Sequence, residues 1–437
     1  MLIRNFFAKD HNFDIGKYSF LLGVFFLPTA LPIAGIFLIV GLVFSLLKDK
    51  FIIFKDKINF SIIVAIFLIL LSTAYNFYSQ IPNGTETTPN FFLWLNLFNW
   101  IPALLCFIIF QNYLQTKEDR LKFSKYFIAG TVPVILSCLF QLNFNIHGPF
   151  EILNGLIVWF QKPLEDTGGV AGLFSNRNYA GFWLAVSLPF SLYFFEKNSN
   201  KLIKNLSAFL ISSTIVTLII LTNSRNAFLG LIPSLLIFFG AKSILFILIP
   251  ITFFIFINLI LPIINPNMTS FFPNVFERFG NIFFINSPRI VIFRSVINFI
   301  AQKPFLGWGA GTFFLIYTSK GNMWIPPFKY FDPQHSHNLL FEMAFNFGLP
   351  ASILITSISI IIFVRAIPIS FFGKYRTNSF SLDKAWLSAS LVVFLMHIND
   401  VTFYDGKISL LISILFSGLK CIPISKEKME RYHNSNS

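Results

Sequence analysis

The chain has 437 residues, of which 55% are hydrophobic and only 12% are charged, and its mean hydropathy is +0.70. A soluble domain carries roughly 25% charged residues, so this composition excludes a water-soluble globular protein. The net charge of +14 could suggest a nucleic-acid partner, but most of the basic residues fall in short connections between apolar segments, where they face anionic headgroups. We therefore expect an integral membrane protein that contacts lipids and no nucleic acid.

Apolar segments of about 20 residues, long enough for a helix to cross a bilayer, recur along nearly the whole chain. The strands of a membrane barrel would alternate apolar and polar residues, and segment 243–261 does not alternate. We therefore predict an all-α, polytopic protein with about twelve transmembrane helices. Their approximate cores are 18–31, 32–47, 58–75, 91–114, 123–142, 178–195, 202–221, 227–239, 243–261, 339–364, 385–398 and 408–421. Pro28 and Pro32 interrupt the first apolar stretch and favour a helical hairpin over one kinked helix.

Lysines and arginines predict which connections face the cytoplasm, because short inner loops are enriched in both. They cluster at the N-terminus, in alternate connections and in the C-terminal tail, whereas segment 77–90 contains neither. This alternation is consistent along the whole chain only if stretch 18–47 crosses the membrane twice. Both termini are then predicted to be cytoplasmic, and no cleavable signal peptide is expected because the first apolar stretch is too long.

Two predicted outer connections are long, residues 143–177 and residues 263–338. Loops of that length are usually functional or disordered. The second contains the amphipathic stretch 288–302, which predicts a helix near the membrane surface. Its apolar side is predicted to consist of Ile290, Phe293, Ile297 and Ile300. We divide the chain into N-terminal membrane helices with one outer loop, residues 1–177, and a second region, residues 178–437, that holds the large outer loop.

A glycine-rich segment follows the amphipathic stretch, with Gly307, Gly309 and Gly311 at alternate positions. Such a segment can cradle a phosphate, but the strand that precedes it in a dinucleotide-binding fold is missing here. A tight turn that redirects the chain is the favoured interpretation, because glycine tolerates left-handed backbone conformations.

Four arginines lie at the predicted outer boundary of the membrane, where basic residues are otherwise scarce. Ionisable groups near lipid are costly and often mark a functional site. A guanidinium group binds two phosphate oxygens at once, which makes a diphosphate the natural ligand. Ordinary interfacial arginines are the alternative. The four residues are Arg177, Arg225, Arg289 and Arg294.

The segment His-Ser-His-Asn at 335–338 stands immediately before a predicted span. A neutral imidazole is the usual general base at physiological pH. His335 and His337 lack the i,i+4 spacing of a helical zinc site, so no metal is predicted, and a histidine that caps the helix is the structural alternative. Further along the chain, a secondary polar cluster or an ordinary helix end is expected at His397, Asp400 and Asp405.

The order of these motifs resembles the O-antigen ligase and polymerase superfamily, whose members share an asparagine at the start of a span, a Ser-Arg turn, an arginine before Pro-x-x-Gly-x-Gly, and a His-Asn pair. In this chain the motifs are Asn176-Arg177-Asn178, Ser224-Arg225, Arg289 with 304–309, and His337-Asn338. They cover roughly the second half of the chain, so 178–437 is the O-antigen-ligase-like region. The chain departs from the family at Arg177, Phe293 and Asn346, where proline, tryptophan and often glutamate are common.

The resemblance implies a helical inner-membrane protein of bacteria whose active site faces the periplasm. It implies transfer of a glycan from undecaprenyl diphosphate to a sugar hydroxyl, with inversion, on lipid A core or another glycan, and without metal or other cofactor. By position, His337 would be the general base, and Arg225 and Arg289 would hold the diphosphate. The other substrate-binding residues implied are Arg177, Asn178, Arg294, His335 and Asn338.

Two alternatives stay open after the resemblance. A polymerase differs from a ligase only in its acceptor, a second lipid-linked repeat, and the ligase is preferred only on the family's usual name. A transporter or flippase would carry polar or charged residues in the middle of its spans. Here the middles of the predicted spans are almost purely apolar and the distinctive residues lie at their outer ends.

Overall fold

The computed structural model describes residues 9–79, 91–197, 202–239, 288–320, 333–372 and 382–435. These residues are almost entirely helical, as the composition predicts for a chain whose backbone must satisfy its hydrogen bonds within lipid. The predicted span 243–261 and the beginning of the large outer loop lie outside the described residues.

Within the described residues, the first region contains six helices, one β-hairpin and a further helix of a single turn. In chain order these are α1 (Lys9–Phe26), α2 (Leu31–Lys48), α3 (Lys57–Ser79), α4 (Phe91–Leu95), α5 (Ile101–Ile109), α6 (Lys117–Phe144), β1 (Phe150–Ile152), β2 (Ile157–Trp159) and α7 (Leu164–Thr167). The strands β1 and β2 pair antiparallel. The hairpin and α7 lie within the predicted outer loop 143–177, for which the sequence indicated no strand.

The second region continues with nine helices among the described residues. These are α8 (Arg177–Lys197), α9 (Leu202–Leu221), α10 (Arg225–Phe239), α11 (Pro288–Gln302), α12 (Phe313–Lys320), α13 (Leu339–Phe347), α14 (Leu349–Phe372), α15 (Leu382–His397) and α16 (Gly406–Ser435). Buried apolar residues from both regions, from Phe20 to Ile422, form one continuous core. The two regions therefore pack as one helical body.

Six helical segments of the described chain are long and apolar enough to cross a membrane. They are Leu31–Lys48, Lys57–Ser79, Phe91–Tyr113, Lys117–Phe144, Leu349–Ser370 and Gly406–Pro423. Shorter apolar helices run over Leu206–Leu221 and Arg225–Phe239. The total of about twelve spans and the orientation across the membrane stay predictions.

The apolar stretch 18–47 is divided into two helices, as the hairpin interpretation predicts. Helix α1 ends at Phe26, and α2 starts at Leu31 with a proline in its first turn. Glycines let the two helices approach closely, since a Cβ on Gly41 would lie 3.2 Å from the carbonyl oxygen of Gly16. Small residues are the usual device for close helix packing in lipid, where the hydrophobic effect does not drive helices together.

The predicted span 339–364 is wrong as a single helix, because it is broken into α13 and α14 at Gly348. Gly348 has a φ of +87°, a conformation that side-chain-bearing residues rarely adopt. The amide of Leu349 donates to the carbonyl of Pro304 at 2.7 Å. The segment around the three glycines therefore occupies the gap between the helices and receives the hydrogen bond that a continuous helix would have made internally.

Helix α11 has the bounds of the predicted amphipathic stretch, but its buried face differs from the predicted one. Ile292 and Val296 are fully buried, whereas Ile297 is 52% exposed. The buried side packs in a small second core with Trp308 and Phe345. The apolar residues on both sides of this helix explain the difference, since the periodicity allowed more than one face to be buried.

Ion pairs join segments that the sequence predicts to lie on the cytoplasmic side. Lys17 pairs with Asp119, the buried Lys420 lies 2.6 Å from Asp56, and Arg120 lies 3.5 Å from Asp383. Each pair connects residues far apart in the chain, so these segments lie close together in the fold. That they face the cytoplasm stays a prediction from charge alternation.

The positive φ of Gly307 generates the first prediction. Its φ is +62°, and a Cβ there would lie 2.5 Å from the carbonyl oxygen of Phe345, which is backbone and cannot move away cheaply. Gly307→Ala should lower the apparent midpoint of thermal unfolding in detergent, because the left-handed conformation alone costs about 1–2 kcal/mol with a side chain.

The matched control is Gly35→Ala, at a helix position where a Cβ meets nothing within 4 Å. Alanine is favoured over glycine in a helix by roughly 0.5–1 kcal/mol, so this variant should unfold at the wild-type temperature or slightly above it. Equal midpoints for the two variants would contradict the role assigned to the turn.

Candidate functional site

The histidine segment is held at the start of α13 by an asparagine cap. The side-chain oxygen of Asn338 accepts a hydrogen bond from the amide of Phe341 at 3.0 Å, and its amide group donates to the carbonyl of Ile398 at 2.9 Å. The capping residue is thus Asn338 and not a histidine, in keeping with the preference for asparagine at this position. With the cap fixed, the rings of His335 and His337 lie 4.4 Å apart.

Asp400 contacts the ring of His337 in the histidine segment. Its carboxylate is buried, with 3% of the residue exposed, and its Oδ1 lies 3.4 Å from Nδ1 of His337. A carboxylate at Nδ1 favours the tautomer with the proton on Nδ1, an assignment made from the hydrogen-bond network. In that tautomer Nε2 is the basic nitrogen of His337.

Two asparagines bind the other carboxylate oxygen of Asp400. The side chain of Asn178 donates to Oδ2 at 2.7 Å, and that of Asn226 donates to it at 3.3 Å. Ser224 donates to the oxygen of Asn178 at 2.9 Å, and Arg289 donates to the oxygen of Asn226 at 3.4 Å. The starts of α8, α10 and α11 therefore converge on one carboxylate that follows α15.

The charges around Asp400 determine its protonation. Burial alone would raise the pKa of this carboxyl, but the hydrogen bond with His337 and the nearby charges of His335, His337 and Arg289 outweigh burial and hold the pKa well below its ordinary range. Asp400 is therefore ionised at neutral pH, and it places a negative charge beside the ring of His337.

The second histidine has a different environment. Burial, followed by the neighbouring charges of His337 and Arg289, lowers the pKa of His335, although Asp400 and Glu342 act in the opposite direction. Its Nδ1 accepts a hydrogen bond from the amide of His337 at 3.3 Å. His335 thus has a lowered pKa and supports the backbone of its neighbour through this hydrogen bond.

A second buried carboxylate, that of Glu342, holds the backbone of the histidine segment. Its Oε2 accepts the amide of Ser336 at 2.7 Å. Its Oε1 accepts the hydroxyl of Tyr404 at 2.5 Å and the side-chain amide of Asn346 at 3.3 Å. Burial and then the charge of Glu342 raise the pKa of Tyr404 well above its ordinary value, so the hydroxyl keeps its proton and remains a donor.

Sequence reasoning did not single out Glu342 or Tyr404, and it placed Asp400 only in a secondary cluster. One signal was present, since Glu342 is an acidic residue within an otherwise apolar segment that follows the histidines, and such residues usually have a partner or a function. Tyr404 carried no comparable signal, because tyrosine is common at membrane boundaries.

The four candidate arginines are not equivalent in the structure. Arg289 is hydrogen-bonded to the Asp400 network, and Arg225 is the first residue of α10, half-buried and adjacent to Asn226. Arg177 donates to the carbonyl of Gly168 at 2.7 Å and so ties the outer loop to α8. Arg294 is exposed on α11, and its five-residue separation from Arg289 rotates it by about 140° around the helix.

The remaining members of the predicted secondary cluster are structural. Both ring nitrogens of His397 have partners in its own segment, the carbonyl of Val393 at 2.8 Å and the hydroxyl of Thr402 at 3.1 Å. Asp405 accepts the amide of Lys407 at 2.8 Å at the start of α16. The helix-end interpretation is confirmed for Asp405, whereas Asp400 belongs to the site.

The glycine-rich turn is confirmed as a structural turn. All three glycines have positive φ. The amides of Gly307, Trp308 and Gly309 donate to the carbonyls of Lys303, Phe345 and Asn346 at 3.1, 2.7 and 3.0 Å. A phosphate cradle presents such amides to its ligand. Here the three amides already donate to backbone carbonyls instead.

The two histidines and Asp400 could also hold a cation. His335, His337 and Asp400 each offer one ligand atom, and these atoms lie within 4.8 Å of one another. The sequence argument against a metal considered only the spacing of the two histidines, and the fold adds a carboxylate from a distant segment. Two imidazoles and a carboxylate would suit a transition metal. An activity assay of this protein should therefore be run with and without a chelator.

Comparison with known proteins supports the resemblance drawn from the motifs. Residues 207–356, about a third of the chain, match the family described as O-Antigen ligase. These residues therefore form an O-antigen-ligase-type region of the chain. The comparison with curated proteins gives no match. The O-antigen ligase match includes Arg225, Arg289 and His337, whereas Asn178 and Asp400 lie outside it.

The buried charge of Asp400 generates a pH-dependent prediction. Because its pKa is lowered in the folded protein, ionised Asp400 should stabilise the fold fully above the ordinary aspartate pKa of about 4. This stabilisation should decline as the pH falls from that value through the lower folded pKa. The thermal midpoint of Asp400→Asn should lie below that of the wild type from pH 8 to pH 5, and the difference should shrink below about pH 4.

The exposed Asp166 provides the matched control. Asp166→Asn should unfold within experimental error of the wild type throughout this range, since an exposed carboxylate gains little from folding. If the difference between Asp400→Asn and the wild type stayed constant down to pH 3, the ionic account of this site would be wrong.

The short hydrogen bond of Tyr404 generates a third prediction. Tyr404→Phe removes a donor to the buried carboxylate of Glu342, and hydrogen bonds to charged groups contribute about 1.5–3 kcal/mol. The apparent thermal midpoint should fall accordingly. Tyr75→Phe is the control, because Tyr75 is 51% exposed and its substitution should change the midpoint little.

Proposed function

We propose that this chain is a member of the O-antigen ligase superfamily and transfers a glycan from undecaprenyl diphosphate to the hydroxyl of an acceptor sugar. The observation that carries the proposal is that Asp400 joins the imidazole of His337 to the arginine-bearing start of α11. A base and a cation thus meet at the end of the bundle opposite the lysine-rich connections. By charge alternation that end faces the periplasm of a bacterial inner membrane.

His337 is the general base of the proposed reaction. Its Nδ1 faces Asp400, so Nε2 accepts the proton of the acceptor hydroxyl as that oxygen attacks the anomeric carbon. The resulting imidazolium is stabilised by the carboxylate, as in other histidine–aspartate pairs. Such a base contributes roughly 10²- to 10⁴-fold to the rate.

Arg289 and Arg225 hold the diphosphate of the donor and stabilise its charge as it leaves. When the bond between the anomeric carbon and the diphosphate oxygen breaks, its electron pair stays with the diphosphate. Guanidinium groups pair with phosphate oxygens two at a time, which fixes the position of the leaving group. Direct displacement of this kind inverts the anomeric centre, and no metal or nucleotide takes part in it.

We favour a ligase that uses lipid A core or another glycan as its acceptor. A polymerase would perform the same displacement with a second lipid-linked repeat, so the two activities differ only in the acceptor. A transporter would need polar residues along a path through the bundle. In the described residues the Asp400 network and the ion pairs of Lys420 and Arg120 belong to opposite ends of the bundle, which favours chemistry at one face over passage.

The fourth prediction is an activity test with purified protein in nanodiscs. An undecaprenyl-diphosphate glycan is the donor, and lipid A core or a second donor molecule is offered as acceptor, each with and without EDTA. His337→Ala should lower kcat about 10²- to 10⁴-fold, and Arg289→Ala should lower it about 10²- to 10³-fold. Two exposed residues provide controls, and His147→Ala and Arg365→Ala should stay close to wild-type activity.

Each outcome of this assay leads to a different conclusion. Product on lipid A core supports the ligase, and lengthening on the carrier supports the polymerase. Loss of activity in EDTA that is restored by zinc would replace the metal-free mechanism with one based on the three-ligand cluster. Retention at the anomeric centre would contradict direct displacement, and wild-type turnover by His337→Ala would remove this residue from catalysis.

A further inference from the structure

A cavity of about 210 Å³ lies among α3, α5, α13, α14, α15 and α16. Its walls are mostly aliphatic and aromatic, with Ile355, Ile358 and Ile362 from α14 facing Ile412 and Phe416 from α16. Two of its hydroxyl groups are already satisfied within their own helices. Ser359 and Ser413 each donate to a carbonyl four residues earlier at 2.9 Å. The cavity therefore offers a contact surface for an apolar ligand.

The cavity begins beside the histidine segment. Asn338, which directly follows His337, lines it. The lining residues of α14, 355–362, lie six to thirteen residues after the start of that helix at Leu349, a depth of roughly 9–20 Å at the rise of an α-helix. The hydrocarbon core of a bilayer is about 30 Å thick. The cavity thus extends from Asn338 into the apolar interior of the helical body.

Two of its lining residues face outward near the same end. Leu340 is 40% exposed and Ile398 is 51% exposed, and both line the cavity. In a membrane protein such apolar side chains contact lipid, which solvates them as well as a protein interior does. A long hydrocarbon chain that lies in the outer half of the bilayer could therefore enter from the side, between α13 and the end of α15.

We propose that this cavity binds the part of the carrier's isoprenoid chain that is nearest the diphosphate. The inference rests on the proposed function, which places the diphosphate at Arg289 and Arg225 and the glycan beside His337. A ligand whose charged group is held there must place its hydrocarbon chain in the membrane below. The apolar cavity begins at Asn338, the residue that follows His337.

The size of the cavity determines how much of the chain it takes. A cavity of about 150 Å³ lined by Leu, Ile and Phe binds a benzene molecule. The present one holds a short length of chain, and the rest of the undecaprenyl group lies in the surrounding lipid. The cavity thus sets the depth and direction of the first isoprene units, and through them the position of the anomeric carbon relative to His337.

The direct test is photo-crosslinking in nanodiscs with an undecaprenyl diphosphate that carries a diazirine on its second isoprene unit. The expected crosslinks fall on 355–362 of α14, 393–398 of α15 and 412–416 of α16. A phosphatidylglycerol with a diazirine in its acyl chain is the comparison probe and should label these residues more weakly. Crosslinks from the carrier probe that avoid all three segments, or equal labelling by the phospholipid, would overturn the proposal.

A kinetic test uses substitutions that fill the cavity. Ser359→Phe and Ser413→Phe should each raise KM for the undecaprenyl donor about tenfold, which corresponds to losing one or two buried CH2 groups. Neither should change KM for the same glycan on methyl diphosphate, because a single carbon is too short to enter the cavity. Ile361→Phe is the matched control on α14, since Ile361 is 43% exposed and does not line the cavity.

The outcomes separate this inference from the proposed function. If the wild type transfers no glycan but the carrier probe labels the cavity, the proposed reaction fails and the lipid site stands. If the wild type transfers glycan while both filled variants fold and keep the wild-type KM for the undecaprenyl donor, the lipid site fails and the reaction stands. Folding is checked by the thermal midpoint of each variant.

Discussion

The architecture of the site depends on keeping one negative charge, that of Asp400, buried at one end of the helical bundle. Removing a carboxylate from water costs several kcal/mol unless hydrogen bonds and opposite charges compensate. Here the compensating groups come from Asn178, Asn226, the amide of Val401 and His337. These groups belong to different helices or loops, so the charge is stable only when the starts of α8 and α10 and the histidine segment meet.

A second carboxylate makes the position of His337 more specific. Asp400 binds its ring, whereas Glu342 binds the backbone of the preceding residue, Ser336. His337 itself has a φ of 55°, a conformation that costs a residue with a side chain of order 1–3 kcal/mol and persists only where surrounding contacts impose it. Ring and backbone are thus held independently, which is what a base needs if its lone pair must point at one hydroxyl.

Helix α13 connects this polar site with the apolar interior. It begins at the cap residue Asn338, carries Glu342 in its first turns, and ends at the break before α14. The same short helix lines the cavity with Leu339, Leu340 and Met343. The break at Gly348 separates this helix from α14, so that one short helix contacts the histidine segment with polar groups and lines the cavity with apolar groups.

The sequence by itself determined the class of the protein and the positions of most helices. A chain this apolar must be helical in lipid, and residues such as Arg289 and His337 stood out because ionisable groups are rare in such a chain. The tertiary structure alone decided the central place of Asp400, the role of Glu342, the buried face of α11 and the break at Gly348. The physical reason is that lipid-facing and buried positions are both apolar in a membrane protein, so periodicity does not fix the rotation of a helix. Contacts such as that between Asn178 and Asp400, 222 residues apart, depend on that rotation and become visible only in the folded chain.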